Sequence, residues 1–306
     1  MKTLIAAIAL CLPAALAAQT APPPETASAC TAPDGWADVL AHNPRFVVFG
    51  ELHGTVEAPA LVARIICAEA MQGRRVLLAI EHSSLYDTGL QAAWQLPHDA
   101  FPAMLSDLGW RGEEDGRASE AMLMLVTSAH STKDKGAAID IVAFNGTLDD
   151  AQRADIANLP SQGPHEAAQA QNIAEAAAAK DYDRVIVLVG GSHAATAPIS
   201  IGGPDFDPMA VRLRSYGTVL SLAMQHSGGT SWNCELRPGT RPAPGKAVTR
   251  DMIACGAFRA GAEGSSDRPP HITVGNFTDP RLGRRYDGTF WLGPITASPP
   301  AFSADQ

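Results

Sequence analysis

The sequence has no basic run, no C-x-x-C pair and no G-x-S-x-G elbow. Beyond its first residues it has no apolar stretch long enough to span a bilayer. Each absence removes a class of function. Lys and Arg number 23 against 32 Asp and Glu, a net charge of −9. The few aromatics do not interleave with basic residues, so neither nucleic acid nor an anionic lipid surface is expected as partner. Without paired close cysteines the chain does not resemble a zinc module. Without a serine elbow it does not resemble a serine hydrolase. No internal repeat is present.

The first residues are different. Met1 to Ala17 reads as a secretory signal, with Lys2, an apolar Leu4–Leu12 core and an Ala15-Leu16-Ala17 exit. That core is too short for a permanent anchor, and Leu10 before Cys11 does not suit a lipoprotein signal. Cleavage before Ala18 removes Lys2 and no acid, which makes the net charge −10. The mature chain is expected to be periplasmic or secreted. It keeps four cysteines, Cys30, Cys67, Cys234 and Cys255. An even count in an exported chain favours two disulfides, and neighbour pairing, Cys30–Cys67 and Cys234–Cys255, closes the shorter loops.

Five apolar runs, near residues 45–49, 76–80, 139–144, 185–189 and 219–224, read as strands, most of them continuous enough to be covered on both faces. Helical spacing lies between them: at Trp36–Ala41, after Glu57 to a stop at Gly73, over 90–96, 101–108 and 119–126, then over 149–158 and 166–180. Thr55 is the expected cap of the second of these, Ser119 of the helix through Met122, Leu123, Leu125 and Val126. Met122 and Met124 read as core filler. The fold class is therefore α/β: a mostly parallel central sheet flanked by helices, with a helical insertion at 83–138 and a loop-rich, disulfide-bearing C-terminal segment. Residues 18–35 read as a tether, 36–293 as one domain and 294–306 as a loose tail.

Parallel strands end on one edge, where open α/β sheets place their sites. The first strand ends in Gly50-Glu51-Leu52-His53, the second in Glu81-His82, the third in Asn145-Gly146 and the fourth in Gly190-Gly191-Ser192-His193. Glu51 and His53 alternate, so they share a face, and Glu57 falls in a first helical turn, where the dipole favours an acid. The set gathers Glu51, His53, Glu81 and His193, with Glu57, His82 and Asn145 as secondary members. Asp115 and Arg117, in the Gly-rich part of the insertion, form a candidate substrate lid. Imidazole beside carboxylate is the arrangement of a general base. Two His and two Glu are equally the ligand types of a divalent metal site, which makes the same four residues candidate ligands. Ser192, beside its own His193, is poorly placed as a nucleophile, which leaves water.

Gly50-Glu51-Leu52-His53-Gly54-Thr55-Val56-Glu57 resembles the opening motif of the erythromycin-esterase-like/ChaN-like superfamily. Val187 to His193 resembles its late strand–Gly–His motif, and Glu81 fits as well. The superfamily includes erythromycin esterases, haem-binding ChaN lipoproteins and the Tiki/TraB metalloproteases. The resemblance, over roughly residues 44–226, implies a parallel-sheet domain with the site at the strand ends. It implies His53 as the water-activating base, with Glu51, Glu81 and His193 around it and Glu57 as an acid of the opening motif. The chain is short for an erythromycin esterase and has no lipobox, so neither macrolide specificity nor membrane anchoring carries over. The expected function is an exported hydrolase acting on an ester, lactone or amide of a small molecule. The alternative is a periplasmic haem- or metal-binding protein, although Tyr86 and Tyr216 fall in no telling motif.

Overall fold

A computed structural model describes residues 30–241 and 248–302. The signal sequence, residues 18–29 of the tether and the last four residues lie outside the described residues. All five expected strands form: β1 (Phe46–Glu51), β2 (Val76–Ser83), β3 (Ile139–Asn145), β4 (Arg184–Gly190) and β5 (Val219–Gln225). Their continuous apolar runs are explained by burial on both faces, since every residue of β1 is buried.

The helices α1 (Trp36–Ala41), α2 (Glu57–Met71), α3 (Asp87–Ala93), α4 (Phe101–Leu105), α5 (Glu120–Asp134), α6 (Asp150–Ile156), α7 (Gly163–Ala178) and α8 (Met209–Leu213) fill the intervals. Val47, Phe49, Leu78 and Ile80 pack with Leu61, Ile65 and Leu125 on one face of the sheet. Phe46, Val48, Val187 and Val189 pack with Ile173, Met209 and Leu213 on the other. The result is three layers, helices–sheet–helices.

The C-terminal segment is more ordered than its Gly- and Pro-rich sequence suggests. Four further strands form there: β6 (Gly229–Leu236), β7 (Ile253–Ala260), β8 (His271–Thr278) and β9 (Arg285–Trp291). The main sheet has the order β3-β2-β4-β1-β5-β9-β8. β9 pairs parallel to β5, and β8 closes the edge antiparallel to β9. β6 and β7 form a separate antiparallel hairpin.

Both disulfides have the expected pairing, Cys30–Cys67 and Cys234–Cys255. The first ties the end of the tether to α2. The second joins directly opposed residues of the β6–β7 hairpin, which has few buried side chains to hold it. Replacing Cys234 and Cys255 by serine is expected to lower unfolding stability by about 2–4 kcal/mol, read as a shift of the urea midpoint. An unchanged midpoint would show that the hairpin contributes nothing to the cooperative fold.

Other sequence expectations change in the structure. Thr55 does not cap α2: Val56 is the capping residue, without a side-chain bond, and Thr55 Oγ1 donates to Leu52 O at 3.4 Å. Ser119 does cap α5, accepting from Met122 N. Met122 is buried, but Met124 is 67% exposed and is not core. The helix expected to Leu108 stops at Leu105 and continues as a π turn to Trp110, broken by Gly109 at φ 81°. The tail is not loose where it is described. Ile295 and Ser298 are buried, Val56 N donates to Thr296 O, and Ser298 N donates to Gly54 O. No helix among the described residues is long and apolar enough to cross a membrane.

The connections place the site. From β1 the chain passes over one face, through α2, to β2. From β4 it passes over the opposite face, through α8, to β5. Neighbouring strands β1 and β4 thus send their chains in opposite directions, the arrangement that in open α/β sheets leaves a crevice at the carboxyl ends. Glu51 and Gly190, opposite each other in that pair, mark its floor.

Candidate active site

Five side chains converge on this crevice in an alternating acid–imidazole chain. His53 lies one turn beyond β1 and places Nδ1 3.0 Å from Glu51 Oε1 and Nε2 3.3 Å from Glu81 Oε2. Glu81 arrives from the end of β2. Its Oε2 also accepts the Gly190 N–H at 2.7 Å, and its Oε1 stands 3.6 Å from His193 Nε2. His193 places Nδ1 2.7 Å from Glu166 Oε1. The sequence in space is Glu51, His53, Glu81, His193, Glu166. The four residues expected from the sequence are all in it.

Burial and opposite charges compete in this chain. Burial pushes the Glu51 carboxyl up, in spite of its bond to His53. Burial alone would drive the proton off His53, but Glu81 and Glu51 outweigh it and raise the ring to about 10. Burial also acts against ionised Glu81, yet His53, His193 and the Gly190 N–H hold it at about 2. His193 is raised too, burial being overcome by Glu166 and Glu81. His53 is thus favoured in its charged form and is engaged at both nitrogens.

Glu166 is the member the sequence did not reveal. It stands in the first turn of α7, where an acid is ordinary for dipole reasons. Its burial, with Oε2 accepting Met209 N at 2.7 Å, arises only when α7 and α8 pack together. Nothing in the Ala-rich sequence around it signals this.

The secondary candidates disperse. His82, next to Glu81 on the strand, faces the other way. It is buried between Tyr86 and Trp110, at ring distances of 5.7 and 5.6 Å, with Nε2 2.6 Å from Leu108 O. Burial pushes its pKa down, so it pins the helical insertion to the sheet as a neutral ring. Glu57 accepts the Thr296 N–H at 3.0 Å and holds the C-terminal segment. Asn145 accepts from Gln169 Nε2 at 2.9 Å, on the rim beyond His193. Tyr86 is occupied by His82, and Tyr216 gives its carbonyl to Arg45 at the opposite edge of the sheet. Neither tyrosine contacts the chain of five.

Asp115 and Arg117 stand above the turn that carries His53. Arg117 pairs with Asp115 at 2.7 Å and with Glu113 at 3.4 Å. A Cβ on Gly116 would lie 2.5 Å from Gly54 N and 2.8 Å from Trp232 O, so only glycine lets this loop settle there. The same loop is joined to the β6–β7 hairpin through the Glu114–Arg250 ion pair, and Trp232 N donates to Gly54 O. Loop and hairpin together wall the crevice.

Each histidine backs Nδ1 onto one carboxylate and turns Nε2 toward Glu81, which is the donor chemistry of a metal site with orienting outer carboxylates. The geometry as placed does not complete it. Among the described residues the donors that all lie within 4.8 Å of one another are those of Glu114, Cys234 and Cys255, and both sulfurs are used in the disulfide.

No protein-family model matches the sequence, and no curated protein does. Solved structures match its shape. One is an erythromycin esterase, a mutant of EreC in its open conformation, 12% identical with a TM-score of 0.55, covering 85% of this chain and 93% of that one. A succinoglycan biosynthesis protein matches at 10% identity and 0.55 over 86% and 91% of the chains. A Bacillus cereus protein matches at 8% and 0.52 over 84% and 90%. At such identities the likeness establishes architecture alone: the chain shares an α/β fold with these three proteins.

Proposed function

We propose that the protein is an exported hydrolase whose Glu–His chain activates water against an ester, lactone or amide. The observation that carries this reading is the position of Glu81 between two imidazoles, each backed by its own carboxylate. Such a group puts a proton acceptor and a proton donor within one pocket. The two disulfides suit an oxidising compartment, which supports export. The shared fold with an erythromycin esterase supports ester chemistry without specifying the substrate.

His53 is the base of this reading. Its Nε2 is engaged by Glu81 across 3.3 Å, a long contact. A water between the two atoms requires ring and carboxylate to part to about 5 Å, the span of two hydrogen bonds; this weakens the pull that keeps the ring charged, and Nε2 gives up its proton to solvent. The bridging water then gives a proton to Nε2 as it attacks the carbonyl carbon. His193, pushed toward its charged form by Glu166 and Glu81, protonates the leaving oxygen or nitrogen.

A panel of simple esters, lactones and amides tests the activity. For the hydrolysed member, kcat/KM reports the free enzyme. It is expected to rise with pH above about 6.5 as His53 loses its proton, until His193 loses the proton it must donate. A flat profile across that range removes His53 as base. No hydrolysis of any member removes the activity itself.

Gly190 supplies a further test. A Cβ there would lie 2.9 Å from His53 Nε2 and 3.5 Å from Glu81 Oε2, so the ring crosses space that only glycine leaves open. Gly190→Ala is expected to displace the imidazole and lower turnover about a hundredfold, with far-UV circular dichroism unchanged. Full turnover in this variant would show that the ring position does not matter.

A further inference from the structure

Beside the Glu–His chain, toward β3, stands a second polar group that the reaction above does not use. Asn145 ends β3. His165 and Gln169 are four residues apart on α7 and share one of its faces. Gln169 is fully buried, and its Nε2 donates to Asn145 Oδ1 at 2.9 Å and to His165 Nε2 at 3.1 Å. His165 Nε2 therefore accepts, and the ring proton sits on Nδ1, which has no hydrogen-bond partner among the described residues. The His165 ring lies 5.6 Å from that of His193. Burial and the His193 charge push its pKa down, so it is neutral. Gln169 Oε1 is buried with no hydrogen-bond partner among the described residues.

A buried amide oxygen without a donor costs about 1–3 kcal/mol. The part-exposed members offer the His165 Nδ1–H donor and the Asn145 amide, held from behind by the buried Gln169, and the group carries no formal charge. A hydroxyl donates and accepts at once, so it fits this set. The carboxylates Glu81 and Glu166 offset the charges of His193 and Arg117 that reach His165, so an anionic ligand gains no net cation here.

We propose that Asn145, His165 and Gln169 form a subsite for a neutral, hydroxyl-bearing portion of the substrate, of the kind a sugar or glycerol ester presents. The ester half of this statement rests on the hydrolase reading; recognition of the hydroxyl-bearing half does not.

Ligand-observed NMR of the full mature chain tests recognition directly, with methyl glucoside, glycerol and glucuronate as probes. Methyl glucoside or glycerol is expected to bind the wild type, more tightly than glucuronate. Affinity should fall about tenfold, the worth of one or two hydrogen bonds, in His165→Leu and in Asn145→Ala. Both altered residues reach the surface, so both variants are expected to fold, and circular dichroism checks this. Absence of neutral-probe binding to the wild type overturns the subsite, as does equal binding to wild type and both folded variants. A hydrolytic arm compares an acetylated methyl glucoside with cyclohexyl acetate. The wild type should prefer the former by at least about tenfold in kcat/KM, and the preference should collapse in the variants through KM. Hydrolysis of both esters at equal kcat/KM overturns the subsite and keeps the hydrolase. Binding of the probes without hydrolysis of any ester keeps the subsite and overturns the hydrolase.

Discussion

His53→Gln is expected to lower turnover on a hydrolysed ester by about a hundred- to ten-thousandfold, the worth of a positioned general base. The sequence alone suggests that such a change leaves stability untouched, because a rim imidazole carries little packing. The structure alters that part of the expectation. The His53 side chain is only 23% exposed, against 3% and 8% for the carboxylates on either side of it. His53→Ala removes the cation between two buried acids and is expected to cost about 3–5 kcal/mol. Protonation of Glu51, already favoured by its burial, offsets part of that loss. Glutamine keeps a neutral donor toward one carboxylate and costs less, which makes it the variant in which chemistry separates from folding. Turnover and melting curve are measured on the same preparation. A folded His53→Gln protein with wild-type turnover rules out the proposed mechanism.

The legibility of this site follows from strand parity. Glu51, Glu81 and His193 could be found because each follows a buried apolar run, and a parallel sheet brings such ends together. His53 could be added because it alternates with Glu51. His82 fails the same test, since adjacent strand residues face opposite sides and Glu81 already faces the crevice. Glu166 was not legible because its burial depends on how α7 meets α8, a tertiary fact with no local pattern. The late strands were hidden for different reasons. In β9, Tyr286, Gly288 and Phe290 are buried in alternation, but the glycine interrupts the apolar signal. Gly288 is required there, since a Cβ would lie 2.4 Å from Thr273 O. β6 and β7 lack a fully buried face, so the disulfide substitutes for the hydrophobic pattern that would have announced them.

Glu81→Gln should act on both histidines at once and show it in the pH dependence of stability. His53 rises from 6.5 unfolded to about 10 folded. Its stabilisation is therefore complete below 6.5 and is lost as pH climbs through 10. Glu81 falls from 4.5 to about 2, so its stabilisation is complete above 4.5 and is lost as pH drops through 2. Between 4.5 and 6.5 both are present in full, and the wild-type melting temperature should peak there. The two shifts describe one shared contact, so they are not added; together they are worth on the order of a few kcal/mol. Glu51, raised by burial, acts in the opposite sense and favours the folded state at low pH, which softens the acid limb. In Glu81→Gln the largest charge holding the His53 proton is gone. The alkaline decline should then end closer to neutrality and be smaller, and the acid limb should lose the part due to Glu81. Turnover should fall by about a hundredfold or more, because the carboxylate that orients both Nε2 atoms becomes a neutral amide. Melting curves of wild type and variant across the range from 2 to 10 decide the matter. If the variant keeps the wild-type alkaline limb, Glu81 does not hold the His53 proton, and the chain from Glu51 to Glu166 does not act as one unit.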